Sequence, residues 1–294
     1  MNYVIIFTHV LEVGVKYLPI VSDAEKSFNV YANQPWFVVC AAKKFSMMAS
    51  DDSSISHFYS FEVDPSKSLT LAIPDGCIDI FFDCDATNPS AAVYGSLLEV
   101  NSVNLSKGHL YVGVRFASGL VPDFLNVSAN ELVNHNFNFL DIVPNAEKFL
   151  EQMACNDNST TKMALIKQFL RRKTTPRVSS QLTMPIINKI CQEKGNVRVK
   201  DLEALTGFTT RTLQRAFLGD VGMSPKVFSR IVRCQSAAYR IKQDKISLSD
   251  LAFELGFSDQ SHFLREFKRL VNATPLEYQK FVREESYFNK IRLY

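Results

Sequence analysis

The sequence predicts an α+β protein with a β-rich N-terminal domain and an all-α C-terminal domain of two helix-turn-helix units joined by a long helix. Short runs rich in Val, Ile, Phe and Tyr, bounded by Gly, Pro, Asp, Asn and Ser, fill the chain to about residue 140 and are typical of strands. After residue 184 the apolar residues recur at helical spacing, and a pattern of helix, Gly turn and capped helix occurs twice. A length of 294 residues allows two domains of ordinary size.

The first domain is predicted to span residues 1–175. Its strand-like runs are Trp36–Ala41, Phe58–Val63, Ile78–Phe82 and Leu110–Phe116. Two amphipathic helices are predicted to follow, at Asn145–Ala154 and Thr161–Lys173, and their apolar stripes suit a homodimer interface. Residues 176–183, which begin at Pro176, are predicted to form a linker.

Charge divides the chain into an acidic and a basic part. Residues 1–159 carry 8 Lys and Arg against 18 Asp and Glu, whereas residues 160–294 carry 25 against 12. This asymmetry indicates that the C-terminal part binds a polyanion and the N-terminal part avoids one. Charge alone does not distinguish DNA from RNA or from an acidic membrane.

Several classes of protein are disfavoured by the sequence. No apolar run reaches the ~18 residues that a membrane-spanning helix requires. The six cysteines form no CxxC pair, which favours reduced thiols in a cytoplasmic protein over a disulfide framework or a zinc site. We therefore expect no membrane partner, no catalytic residues, no cofactor and no metal.

An internal repeat defines the C-terminal domain, which is predicted over residues 184–286. Val199–Phe208 and Leu248–Phe257 align so that Gly207 falls on Gly256, and each short helix ends at a Gly that can adopt the left-handed conformation. An N-capping residue follows, which is Thr209 in the first copy.

The second copy is capped by Ser258 or Asp259. A second helix begins after each cap, at Thr210–Leu218 and Gln260–Val271. The two predicted helix-turn-helix units therefore occupy residues 199–218 and 248–271.

The segment between the units predicts their spacing. Ser224 and Pro225 form an N-cap with Pro at the first helical position, and Lys226–Gln243 contains neither Gly nor Pro. A helix over Pro225–Gln243 would be ~28 Å long. Successive major-groove turns on one face of B-DNA lie ~34 Å apart, so a rigid spacer of this length would favour bent DNA.

The sequence Gly256-Phe-Ser-Asp-Gln-Ser-His-Phe-Leu-Arg-Glu-Phe-Lys-Arg269, with Ala273-Thr-Pro-Leu-Glu-Tyr278 after it, resembles the signature of AraC/XylS-type transcription regulators. The resemblance covers roughly residues 184–285. It implies a cytoplasmic regulator that binds double-stranded promoter DNA, contacts RNA polymerase and forms a homodimer. The chain departs from the family pattern at Glu203, where a small residue is usual, at Asn272, where Gly is usual, and at Gln279, where Arg is common.

The resemblance also implies which side chains touch DNA. Arg can bond guanine O6 and N7 together, and Gln can do the same with adenine N6 and N7. The residues expected to read bases are Arg211, Gln214 and Arg215 in the first unit and Gln260, Ser261, His262 and Arg265 in the second. Those expected to contact phosphates are Thr209, Thr210, Lys268 and Arg269.

A weaker resemblance in Ile73–Phe82 and Gly113–Gly119 implies a β-barrel or cupin-like N-terminal domain that senses a small-molecule effector or provides the dimer contact. Trp36 could line its pocket and Arg115 could hold an anionic ligand, although aromatic core packing and a core ion pair are the simpler interpretations. The acidic residues around the predicted strand are expected to be solvated turn and edge charges; they are Asp75, Asp79, Asp83 and Asp85.

Two alternatives remain open at this stage. The N-terminal half could only dimerise or bind another protein, which would make the chain a regulator without a ligand. Less favoured is an enzyme whose β-domain acts on a small molecule and whose helical domain is a DNA-binding appendage.

Overall fold

The computed structural model describes residues 42–66, 70–85, 87–173, 182–243, 246–284 and 291–293. The predicted strand at Trp36–Ala41, with the pocket candidate Trp36, lies outside these residues, as do residues 176–181 of the predicted linker. The α+β class is confirmed, since strands dominate the N-terminal part and helices the C-terminal part.

Most of the described strands lie in one main sheet, in which the central strands β2 (Ile55–Val63) and β7 (Leu110–Phe116) are buried along nearly their whole length. It has seven strands in the order β8-β5-β4-β7-β2-β1-β9, and β3 pairs with β6 separately. The strands are β1 Ala42–Ala49, β2 Ile55–Val63, β3 Thr70–Ala72, β4 Asp79–Asp83, β5 Ser90–Tyr94, β6 Asn101–Val103, β7 Leu110–Phe116, β8 Asn136–Asn138 and β9 Ile291–Leu293. Because β8 and β9 form opposite edges, the described strands do not close into the predicted barrel.

Four helices follow or interrupt these strands, namely α1 Ala129–Leu132, α2 Phe139–Ile142, α3 Glu147–Ala154 and α4 Ser159–Lys173. Phe149 of α3 and Met163 and Ile166 of α4 are buried in one core with the sheet residues Phe82 and Phe116. The apolar stripes from which a dimer interface was predicted are therefore covered by the chain's own sheet.

The C-terminal helices are α5 Thr183–Gln192, α6 Val199–Thr206, α7 Thr210–Val221, α8 Pro225–Gln243, α9 Leu248–Glu254, α10 Gln260–Val271 and α11 Pro275–Glu284. The bounds of α8 and α10 agree with the sequence prediction, and α7 runs three residues further than predicted. Both helix-turn-helix units are present, as α6 with α7 and as α9 with α10.

Caps fix the sharp turns of these units. Thr209 accepts a hydrogen bond from the Thr212 backbone N–H at 3.5 Å and begins α7, and Asp259 accepts one from the His262 N–H at 2.7 Å and begins α10. Gly207 ends α6 at φ 73°, in the left-handed region that Gly adopts without steric cost. Asn272 ends α10 at φ 58°, so Asn serves where the family usually has Gly.

Candidate nucleic-acid interface and internal pocket

The first helix-turn-helix unit exposes a polar face on α7. Leu213 and Phe217 are fully buried against the domain core, which fixes the rotation of the helix. Arg211, Gln214 and Arg215 lie on the opposite side and are exposed, as a base-reading role requires.

The second unit repeats this arrangement on α10. Phe263 and Phe267 are buried, and the predicted DNA contacts Gln260, Ser261, Arg265 and Lys268 are exposed. His262 differs from them, because it is half-buried, its Nδ1 lies 3.0 Å from Ser258 Oγ, and its ring meets the Phe257 ring edge-on at 5.4 Å. Its contacts to Ser258 and Phe257 stabilise the turn before α10.

Two arginines of the spacer helix α8 brace the units, and sequence reasoning missed both. Arg230 Nε donates to Glu266 Oε2 of α10 at 2.7 Å. Arg233 donates to the carbonyl oxygens of Gly195 at 2.9 Å and Gly256 at 3.5 Å, and its guanidinium lies 5.1 Å from the centre of the Phe257 ring. Only the absence of Gly and Pro from Lys226–Gln243 signalled a rigid spacer. The individual contacts of α8 are not encoded in a local motif.

Two predicted phosphate contacts already have acidic partners. Thr210 donates from its backbone N–H and its hydroxyl to Glu203 Oε1, both at 2.6 Å, and the hydroxyl and N–H lower the pKa of the Glu203 carboxyl. Glu203, the large residue at a position where the family has a small one, thus caps α7. Arg269 donates to Glu99 of the N-terminal domain at 2.8 Å.

A second site lies inside the N-terminal domain, where a cavity of about 140 Å³ opens between β2, β4 and the β3–β6 pair. The buried polar groups of its wall centre on Arg115. This side chain donates from Nε and Nη2 to Asp79, at 3.0 and 2.6 Å, and from Nη1 to Asp75 at 2.7 Å. Tyr59 completes the cluster by donating its hydroxyl to Asp79 at 3.1 Å.

These contacts correct the expectation that the aspartates are solvated. Asp75 and Arg115 are each about 5% exposed or less, and Asp79 is half-buried between Arg115 and Tyr59. Asp83 accepts from the His109 ring and from the Tyr111 hydroxyl, both at 2.9 Å. Asp75, Asp79 and Asp83 therefore belong to buried or half-buried networks, whereas Asp85 accepts from the backbone N–H groups of Thr87 and Asn88 in a turn, as the sequence predicted.

Burial sets the ionisation of this cluster. Desolvation, with Arg115 nearby, lowers the pKa of His57 from 6.5 to about 3, so the imidazole is neutral. Burial also raises the pKa of Asp75, against the opposing attraction of Arg115. Burial opposes the charge of Arg115 too, but Asp79 and Asp75 outweigh it and raise the pKa of the guanidinium well above its ordinary value. Arg115 is therefore a permanently charged group that is already paired.

Comparison with known proteins supports the assignment of the C-terminal domain. A helix-turn-helix domain family matches residues 202–280, and a domain family of unknown function (DUF6597) matches residues 52–138. An uncharacterised HTH-type transcriptional regulator of Haemophilus influenzae is 27% identical over 54% of this chain and 58% of its own length. The HTH-type transcriptional activator RhaS of Pectobacterium carotovorum is 35% identical over 26% of this chain and 28% of its own length.

The C-terminal domain is of the AraC/XylS type. Among solved structures, ToxT of Vibrio cholerae bound to an unsaturated fatty acid has a TM-score of 0.37 and 14% identity, over 82% of this chain and 95% of ToxT. That likeness is too low to carry an argument about this chain. The chain matches 58% of the length of the Haemophilus protein and 28% of the length of RhaS, which is less than two thirds of either relative. No helix in the described ranges has both the length and the hydropathy to cross a membrane.

The AraC/XylS-type domain packs directly on the loop that forms one side of the pocket. Gln235 of α8, only 1% exposed, donates to the Pro74 carbonyl oxygen at 2.6 Å. Gly76 has φ 72°, and a Cβ at that position would lie 2.8 Å from the ring of Phe228 on α8. The turn that carries Asp75 thus lies between the cavity and α8, the helix that joins the two helix-turn-helix units. The cavity and the two units are therefore connected through α8.

Proposed function

We propose that this protein is a transcription regulator that binds double-stranded promoter DNA sequence-specifically through both helix-turn-helix units. The observation that carries the proposal is the pair of exposed Arg- and Gln-bearing faces on α7 and α10, held by a braced helix of 19 residues. At ~28 Å, this spacer suits two adjacent major-groove turns of a bent duplex.

Within this proposal, Arg215 and Arg265 are the main base readers, and Arg211, Gln214, Gln260 and Ser261 extend the readout. Lys268 and the Thr209 hydroxyl contact phosphates, which position the domain without specifying sequence. To contact phosphates, Thr210 would have to give up its hydrogen bonds to Glu203, and Arg269 its hydrogen bonds to Glu99. DNA therefore competes with an acidic side chain at both positions.

The N-terminal domain binds a small-molecule effector in the 140 Å³ cavity and transmits its occupancy through the Pro74–Gly76 turn to α8. The cavity favours this version over a regulator that only dimerises. An enzyme is the least supported alternative, since the charged groups of the cavity wall bind one another. A cupin-like fold of the N-terminal domain stays a prediction, since the described strands form an open sheet.

RNA polymerase is the proposed protein partner, and the cytoplasm the proposed compartment, by analogy with AraC/XylS-type regulators. A homodimer also stays part of the proposal, but it requires a surface other than the stripes of α3 and α4, which the sheet covers.

Selection from random duplexes tests the proposal. The full-length protein is incubated with a library of random double-stranded DNA, the bound fraction is sequenced, and affinity for the enriched sequence is measured against a shuffled duplex. We expect two short conserved elements about one helical turn apart and a preference of at least about 10³ over the shuffled duplex. Enrichment of no sequence, or equal affinity for both duplexes, would refute sequence-specific binding.

A further inference from the structure

We infer that the cavity of the N-terminal domain takes a small ligand with a cationic group on an aromatic or apolar body, and that it rejects carboxylates. This inference rests on the effector-binding part of the proposed function and names the class of ligand. Charge, hydrogen bonding and wall chemistry support it separately.

The charge of the cavity wall is negative. Among the described residues that line it, the charged groups are the carboxyls of Asp75 and Asp79 and the guanidinium of Arg115, and two histidines, His57 and the exposed His135, also lie in the wall. His57 is neutral, because burial and Arg115 hold its pKa at about 3. Two carboxyls thus face one permanent cation, and among the described residues of the wall the excess carboxyl has no second buried cation as a partner. Burial raises the pKa of Asp75, which is the effect that a bound cation would reverse.

The hydrogen bonds of Arg115 commit its guanidinium to the two aspartates, since one N–H of each nitrogen is already used. All three guanidinium nitrogens donate to aspartate oxygens, at 3.0 Å from Nε, 2.7 Å from Nη1 and 2.6 Å from Nη2. A ligand carboxylate would bring a third negative charge to a guanidinium that already binds two carboxylates, which is unfavourable in a buried site. We therefore expect Arg115 to serve as a core ion pair, the simpler of its two interpretations, rather than as an anion-binding group.

The rest of the wall suits a cation with an apolar body. The rings of Phe81 and Tyr94 stack at 4.4 Å, and those of Phe45 and Tyr59 at 6.0 Å, so several π faces line the same space as the carboxylates. Aromatic faces attract cations, more strongly when water is excluded. The volume of about 140 Å³ is close to the ~150 Å³ of a protein cavity that binds benzene. The ligand body is therefore about the size of one aromatic ring.

Three probes of nearly equal size test the charge preference on the full-length wild-type protein. Binding of 2-phenylethylamine (an ammonium at pH 7), 2-phenylethanol and phenylacetate is measured by calorimetry and by the shift of the melting temperature. We expect the ammonium to bind at least tenfold more tightly than the alcohol and phenylacetate not to bind. Equal affinity for ammonium and alcohol, tighter binding of phenylacetate, or no binding of any probe would each overturn the inference.

A variant locates the binding in the cavity. In Asp75→Asn one carboxylate remains for Arg115, so the wall loses its excess negative charge. We expect the affinity for 2-phenylethylamine to fall at least tenfold towards that of 2-phenylethanol. Asp157→Asn makes the same change of charge at an exposed position and should leave both affinities unchanged. An Asp75→Asn protein that is folded by circular dichroism and still prefers the ammonium tenfold would contradict the assignment; if the variant does not fold, the wild-type comparison still decides.

Neither measurement involves DNA. Failure of the probes would therefore leave sequence-specific DNA binding intact, and failure of the duplex selection would leave the ligand preference intact.

Discussion

At the residue scale, burial decides what each charged side chain of this protein can do. Arg115 is enclosed, and all three of its nitrogens bond to aspartates, whereas Arg215 is exposed on α7. An arginine that is already paired stabilises a fold, while an exposed one on a recognition helix is available to a base edge. The same residue type therefore lies in opposite environments in the two domains, and the proposed function gives it opposite roles.

Arg215→Ala should weaken binding to the selected duplex by ~1–3 kcal/mol and relax preference at one base pair, because a bidentate guanine contact is lost. Fluorescence anisotropy with the cognate duplex and single-base variants measures both effects. Lys148→Ala removes one positive charge from an exposed position on α3 and serves as the control. An unchanged isotherm for Arg215→Ala would remove this residue from the interface.

His57 makes the stability of the N-terminal domain depend on pH. The imidazole has an ordinary pKa of 6.5 in the unfolded chain, whereas burial and Arg115 lower its pKa in the folded protein to about 3. Between these values the unfolded chain binds a proton that the folded one does not, so the free energy of unfolding falls as the pH falls, by up to about 1.4 kcal/mol per pH unit. Asp75, whose pKa is raised, acts in the opposite sense.

The variant His57→Gln should therefore have a flatter dependence of the unfolding free energy on pH between pH 6 and 4. Urea denaturation at several pH values measures the slope. His135→Gln, at an exposed position, should keep the wild-type slope. The same slope in wild type and His57→Gln would show that His57 is not the group responsible.

At the element scale, local signals were sufficient for the helix-turn-helix units. Ser224 with Pro225 and Asp259 begin α8 and α10 at the predicted residues, because capping depends on a few adjacent side chains. The amphipathic stripes also predicted the helices α3 and α4 correctly. The prediction that a second copy of the chain covers these stripes was wrong, because the chain's own sheet covers them. A stripe indicates that a helix face is covered, not whether a second copy or the chain's own sheet covers it.

The spacer helix should set the distance between the two DNA elements, and the Arg230–Glu266 pair should keep it fixed. In Arg230→Met the brace between α8 and α10 is lost while the apolar stem remains. We expect the wild type to bind a duplex with two base pairs inserted between the elements at least about tenfold more weakly than the selected duplex. For the variant, the affinities for these two duplexes should differ by less than about threefold.

Lys226→Met, at an exposed position on the same helix, makes the same charge change and should keep the full discrimination. For each protein, the affinity for the selected duplex is divided by the affinity for the duplex with the insertion. This ratio removes the general effect of losing a positive charge, which weakens binding to both duplexes. Equal ratios for wild type and Arg230→Met would mean that the spacing is held by other contacts.

At the scale of the whole molecule, the sequence gives no sign of how the domains meet. Gln235 and Pro74 are 161 residues apart and Arg269 and Glu99 are 170 apart, and no periodicity or motif links positions so distant. The charge division predicts that the basic part binds a polyanion, as the proposed function also requires. It did not predict that Glu99, on the acidic part, would occupy a predicted phosphate contact.

Glu99 should therefore compete with DNA for Arg269. Both side chains are more than half exposed, at 53% for Arg269 and 62% for Glu99, so the pair adds little to stability, and Glu99→Gln should leave the melting temperature nearly unchanged. On DNA, however, the freed guanidinium can neutralise one more phosphate. The slope of log K against log salt concentration should then steepen by about one unit, with tighter binding at low salt. Glu151→Gln, an exposed change of equal charge on α3, should leave the slope as in the wild type. If Glu99→Gln and Glu151→Gln bind DNA with the same salt dependence, Glu99 does not compete with DNA for Arg269, and the acidic domain has no direct influence on the interface through this pair.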